Sequence, residues 1–199
     1  MKRVVFRLLW LTLAIECAYV VYARFVLQAA WSHLIQPLIF VVLCGLLAAT
    51  QGRIRWITGL LRCLIGLEFA LSVGDRFGLL GPPGGAVSWG NFARFVAYTR
   101  EVNAFLPGSF APLLAVLATI CETALGITLI LGIRVQYVAR AAAVLLCLFG
   151  SAMIASGLVE SQFYYGVFVL AASAWAISTT DGSWLSLDSR LRRHQAQTA

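Results

Sequence analysis

Over residues 110–133 the chain runs the length of a membrane span, ~20 residues, with a single charged side chain, Glu122, near its middle. Five other stretches are nearly as apolar. Such runs constrain a fold more than any motif does. In water their apolar surface has too little polar chain to cover it, whereas in a bilayer lipid covers it. The composition agrees: 61% of the 199 residues are hydrophobic, and mean hydropathy is +0.87. Only 12% are charged, against roughly 25% in soluble domains. The runs are continuous rather than alternating, so helices fit and a β-barrel does not. The expected class is an all-α polytopic transmembrane helical bundle.

Six spans are expected, at about residues 8–30, 34–50, 56–74, 110–133, 138–156 and 163–179. Pro37 near the start of the second does little harm there, where an N–H has no helical partner. The N-terminal stretch resembles a secretory signal, but Glu16 interrupts it and no clean cleavage site follows, so it is expected to be retained. Residues 1–55 then form two N-terminal spans, 56–180 a four-helix core with its long connection, and 181–199 a basic tail.

The net charge of +7 comes from residues at the ends of spans, not from a basic stripe suited to nucleic acid. Lys2, Arg3, Arg7, Arg53, Arg55, Arg134, Arg140, Arg190, Arg192 and Arg193 would lie on one side. Arg24, Arg76, Arg94 and Arg100 would lie on the other. The positive-inside rule then puts both termini in the cytoplasm.

Residues 75–109 form the one long connection, on the outer side. Gly81-Pro-Pro-Gly-Gly85 ends any helix. The stretch 89–106 reads as an amphipathic helix, with Asn91, Arg94, Tyr98 and Glu101 on one face. Phe92, Phe95, Val96, Val102 and Leu106 take the other. Such a helix either lies in the interface and caps the bundle or closes as a lid over a site. Small residues gather in the fifth and sixth spans, which are expected to pack closely.

Glu16, Arg62, Glu68 and Glu122 lie well inside spans. Each costs about 3 kcal/mol if it faces lipid at a helix centre, so each should turn inward. Glu122 and Glu68 are the candidate intramembrane polar site, with Arg62 as charge partner and Arg76 as the other candidate counter-charge. Asp75, Arg76, Arg94 and Glu101 are candidate polar residues on the outer side. The acids either line a site that exchanges protons or meets a quinone, or hold the third and fourth spans together. The five cysteines lie in apolar runs without a CxxC pair and are read as small buried hydrophobes. His33 and His194 are misplaced for axial haem ligation, and no metal-ligand spacing or phosphate loop occurs.

Several pieces, in order, resemble the DoxX family of bacterial membrane proteins over about residues 57–190. "LLRCLIGLEFALSVGDRFG" is similar to its first core helix, with Arg62, Gly66 and Phe69 at family positions. "NFARFVAYTREVNAFLP" resembles a connecting segment of one branch. "ATICETALGITLILGIRVQYVARAAA" carries the acid-then-glycine pattern at Glu122, Gly126 and Gly132, followed by Arg134. "LFGSAM" and "DGSWLSLD" resemble the third helix and the closing Ser-Leu-Asp. The chain departs from the family where Gly74 is followed by Asp75 and Arg76 instead of Lys. The resemblance implies a four-helix core and an accessory or quinone-facing subunit of a membrane oxidoreductase complex, with quinone as the one cofactor suggested. The residues alone leave open a small proton-coupled permease or a structural membrane partner.

Overall fold

The computed structural model describes residues 2–83, 88–180, 184 and 186–188. Arg190, Arg192, Arg193, His194 and most of the expected tail lie outside the described residues, as does part of the Gly-Pro-Pro-Gly-Gly turn. Everything regular among the described residues is helical. The helices are α1 (Lys2–Phe25), α2 (Trp31–Thr50), α3 (Arg55–Arg76), α4 (Phe92–Val102), α5 (Ala111–Leu131), α6 (Val135–Ala155), α7 (Val159–Tyr164) and α8 (Val167–Ser178). A 3-10 turn, Gly108–Phe110, leads into α5. Five helices are long and apolar enough to cross a membrane: α1, α2, α3, α5 with its leading turn, and α6.

The sixth expected span is two helices. The chain breaks between α7 and α8, where Gly166 takes φ +56°. A Cβ at Gly166 would sit 2.7 Å from the Phe40 ring of α2, so the turn requires glycine on both backbone and steric grounds. At 12 residues, α8 is about 18 Å long, short of a ~30 Å hydrocarbon core. Nine residues of α8 are buried, and it packs against α6, α1, α2 and α3. A helix buried over most of its surface can be short and broken, because neighbouring helices cover its freed backbone groups.

Other boundaries shift in instructive ways. The first span begins at Lys2 and ends at Phe25, earlier than expected, because Gln28 enters the left-handed region and turns the chain. The third runs on to Arg76, which carries Asp75 and Arg76 into the helix. Of the cysteines only Cys44 is buried, while Cys17, Cys121 and Cys147 lie on the outside of the bundle. They are small apolar groups on an apolar exterior, not core residues as expected.

Two seams organise the packing. Between α6 and α8, Ala139, Ala142, Ala143, Ala171 and Ala174 are buried, and Gly150 leaves room for the Phe168 ring. Between antiparallel α3 and α5, Gly66 and Gly126 face each other. A Cβ at Gly66 would meet the Gly126 carbonyl at 2.9 Å, and one at Gly126 would meet the Gly66 carbonyl at 3.1 Å. This backbone-to-backbone approach gives helices dispersion contact where the apolar surroundings give them none. It also fixes the register that aligns the charged residues on either side.

The bundle has two distinct ends. At the terminal end, α1 begins, Trp184 lies against Gly59, Ser186 lies against Gly132, and Gly52 meets Phe6 and Thr180. At the loop end, α4 packs across α5, α3 and α6, and the Ser156 hydroxyl donates to the Val102 carbonyl at 2.7 Å.

Candidate functional site

One turn from Gly126 toward the loop end, the α3–α5 seam becomes polar. Glu122 on α5 is met there by Arg76, the last residue of α3. Arg76 Nη2 lies 2.5 Å from Glu122 Oε2, and both side chains are almost wholly buried. It is the one ion pair among the described residues. Arg76 Nη2 also donates to Ser72 Oγ at 3.0 Å, and Nη1 to Thr119 Oγ1 at 2.8 Å. The helical repeat supplies this cluster. Ser72 lies four residues before Arg76, and Thr119 three before Glu122, so each pair shares a helix face.

Aromatic rings roof the guanidinium. Arg76 Cζ lies 3.7 Å from the Phe95 ring centroid and 5.7 Å from that of Trp89. Both distances are within cation–π range, and the contact is strongest in dry surroundings. Trp89 itself packs edge-on against Phe95 at 4.9 Å. Asp75 holds this roof in place. Its carboxylate accepts N–H bonds from Ser88 (2.9 Å), Trp89 (3.2 Å to Oδ2) and Gly90 (2.8 Å). Three successive amides on one carboxylate pin the segment that carries Trp89. Thus neighbouring residues divide the work: Asp75 fixes the loop, and Arg76 fixes the seam. Arg76 Nε remains a buried donor with no partner.

The expected charge partner is therefore corrected. Arg76 pairs with Glu122, and Arg62 does not. Arg62 and Arg76 are both fully buried on α3, about 21 Å apart along the axis by helix rise. Arg62 lies at the terminal end, where it donates to the carbonyls of Leu129, Ile130 (3.0 Å) and Trp184 (3.3 Å). Leu129 and Ile130 lie in the last turn of α5; the Leu129 carbonyl also accepts the Gly132 N–H at 3.1 Å, and a cation beside these end carbonyls is favourable. The same corner ties down the C-terminal segment. Trp184 N–H donates to Arg55 O at 3.1 Å, and Val135 N–H donates to Asp188 Oδ2 at 3.0 Å. Gly132, at φ +70°, lies so close to Ser186 and Arg62 Nη1 that no Cβ fits.

Glu68 is also outside the cluster. It is half-buried on α3 and makes no hydrogen bond or ion pair among the described residues. The outer-side candidates divide. Asp75 and Arg76 are buried and central, whereas Arg94 and Glu101 are exposed on the far side of α4. The expected polar face of α4 is only partly polar, because Tyr98 turns inward and packs on Trp89 at 5.4 Å. As to cap or lid, α4 covers the pair through Phe95.

Thr119, Ser72, Phe95 and Trp89 were not foreseen as site residues. The i,i+3 and i,i+4 spacings to Glu122 and Arg76 carried the signal for the first two. No local pattern marks the rings, which arrive through the fold of the connection. Among the described residues no group of His, Cys, Asp and Glu is arranged to hold a metal ion. No family model, no curated protein and no solved structure matches the chain.

Proposed function

We propose that the chain is a DoxX-like accessory subunit of a membrane oxidoreductase complex in a bacterial cytoplasmic membrane, with the Arg76–Glu122 site turned toward the quinone pool at the loop end. The observation that carries this is the unpaired Arg76 Nε, a buried donor beside a carboxylate and beneath two aromatic rings. The residues fit a quinone headgroup by their chemistry. Arg76 Nε would donate to a ring carbonyl, and Trp89 and Phe95 would supply apolar walls. Glu122 Oε1, the oxygen that Arg76 does not engage, would accept a hydrogen bond from a hydroxyl of the reduced headgroup. A bound quinone supplies a two-electron, two-proton acceptor, and the electrons would come from the partner subunit. Arg76 orients, Glu122 balances its charge, and the roof excludes water.

Quenching of Trp89 fluorescence by a short-chain ubiquinone analogue in nanodiscs tests this, with Trp89→Phe identifying the contribution of that indole. Arg76→Lys keeps a charge but removes Nε. It is expected to weaken binding about tenfold, the loss of one charge-assisted hydrogen bond of ~1.5 kcal/mol. Equal affinity in the wild type and Arg76→Lys would remove the site from quinone binding.

The break at Gly166, with the buried Glu16 Oε1 of α1 lacking a partner, supports a second reading. Broken helices and intramembrane acids also belong to proton-coupled permeases. Gradient-driven flux in proteoliposomes, lost in Glu16→Gln, would favour that reading. No flux for any solute tested would remove its support.

A further inference from the structure

Two further side chains, one on α7 and one on α4, carry buried polar atoms apart from the Arg76–Glu122 pair. Gln162 on α7 is 1% exposed, yet neither its amide nitrogen nor its amide oxygen has a hydrogen-bond partner. Buried side-chain amides are rarely left so, because burial without a partner forfeits the hydrogen bonds water would have made. The Tyr98 hydroxyl on α4 is likewise buried and unpartnered.

Tyr165 links the two. It caps the end of α7 three residues after Gln162, with its N–H bonded to Ser161 O at 3.1 Å, a spacing that puts the two on one side of that turn. Its hydroxyl lies 3.4 Å from Ser88 Oγ, in the segment that also carries Trp89. The Tyr98 phenol feels it as well. Burial first, then Tyr165 and Glu101, push that phenol above its usual range, so it stays a neutral donor and acceptor. Across the group the unsatisfied capacity is an amide N–H, an amide carbonyl and a phenol, with no free cation. Such a set suits a ligand group that both donates and accepts and bears no charge. Glu101, one turn further along α4 and exposed, is near enough to the Tyr98 phenol to oppose an anion there.

We propose that Gln162 and Tyr98, with Tyr165 at the rim, bind the uncharged hydroxylated headgroup of a membrane amphiphile that enters at the loop end from the bilayer. An alcohol oxygen takes the Gln162 N–H, its proton goes to the Gln162 carbonyl or to Tyr98, and the acyl chains lie along the apolar exterior. This site is separate from the Arg76–Glu122 pair and does not depend on the quinone reading.

The test uses the full chain in phosphatidylcholine nanodiscs doped with dioleoylglycerol or with dioleoyl phosphatidic acid, and bound lipid is read by native mass spectrometry. The wild type is expected to retain dioleoylglycerol and not phosphatidic acid. Gln162→Leu, close in volume but without hydrogen-bonding atoms, should lower that retention about tenfold. Tyr98→Phe, which loses one oxygen, should lower it less but measurably, and it decides the matter alone if Gln162→Leu does not fold. Equal retention by the wild type and the folded variants overturns the proposal, whether water or packing then accounts for the group. So does no retention by the wild type, or a preference for phosphatidic acid.

Discussion

Arg76 places a full positive charge where little water reaches, and four neighbours make that tolerable: Glu122, Ser72, Thr119 and the Phe95 face. Removing one member of a buried pair strands the other, at a cost of about 3–5 kcal/mol, whereas replacing both by apolar residues of similar size is often neutral or stabilising. Glu122→Leu alone should therefore lower thermal stability in detergent sharply, and Arg76→Met alone should do the same. The double variant should recover most of the loss. That non-additivity, read from melting curves of the four proteins, measures the pair itself. Additive losses would mean that Arg76 is held by its hydroxyl and ring contacts rather than by Glu122. The cycle also separates stability from function, because a double variant that folds and no longer binds quinone keeps the packing role while losing the proposed binding role.

At the scale of elements, the α3–α5 seam is governed by two glycines. Gly66 and Gly126 bring the backbones close enough that each would-be Cβ lies about 3 Å from the opposing carbonyl. Carbonyl oxygens in a helix have no freedom to withdraw as a long side chain would. Gly126→Val should therefore push α3 from α5 and pull Arg76 from Glu122. Gly45, with nothing within 4 Å of its would-be Cβ, serves as the control. We expect Gly126→Val to melt several degrees lower and Gly45→Ala to match the wild type. Equal melting temperatures for Gly126→Val and the wild type would show that the seam relaxes freely. The sequence marks both glycines and the acid one turn away, since they recur at helical spacing. It hides the partner of that acid. Arg62 and Arg76 lie two heptads apart on one face of α3, so periodicity alone ranks them equally. Only the position of the crossing, set by Gly66 against Gly126, decides that Arg76 reaches Glu122 while Arg62 reaches the end of α5. The break at Gly166 was hidden for a different reason. A run apolar enough for a span looks the same whether the helix crosses lipid or lies enclosed, and what tells them apart is burial by four other helices.

For the whole molecule, the two ends differ in how their positive charge is held. Lys2, Arg3, Arg7, Arg53, Arg55 and Arg134 are exposed at the terminal end, with Arg140 half-buried beside them. At the loop end Arg76 is neutralised by Glu122, which leaves Arg24, Arg94 and Arg100. The asymmetry that the residue counts suggest is thus visible on the surface of the bundle, with seven basic residues exposed or half-buried at the terminal end and three at the loop end. The terminal end is therefore expected to face the cytoplasm, with α4 and both proposed sites outside. Arg53 and Phe105 are exposed at opposite ends, and single-cysteine variants there report sidedness once the five native cysteines are replaced by alanine. In intact spheroplasts a membrane-impermeant maleimide should label Phe105→Cys at once and Arg53→Cys only after lysis. The reverse pattern would put the Arg76–Glu122 site on the cytoplasmic side, where a soluble reductase rather than an outer-side donor would have to reach it. Labelling of both before lysis would mean that the two ends lie on one side, so that the five long helices do not cross together as one bundle.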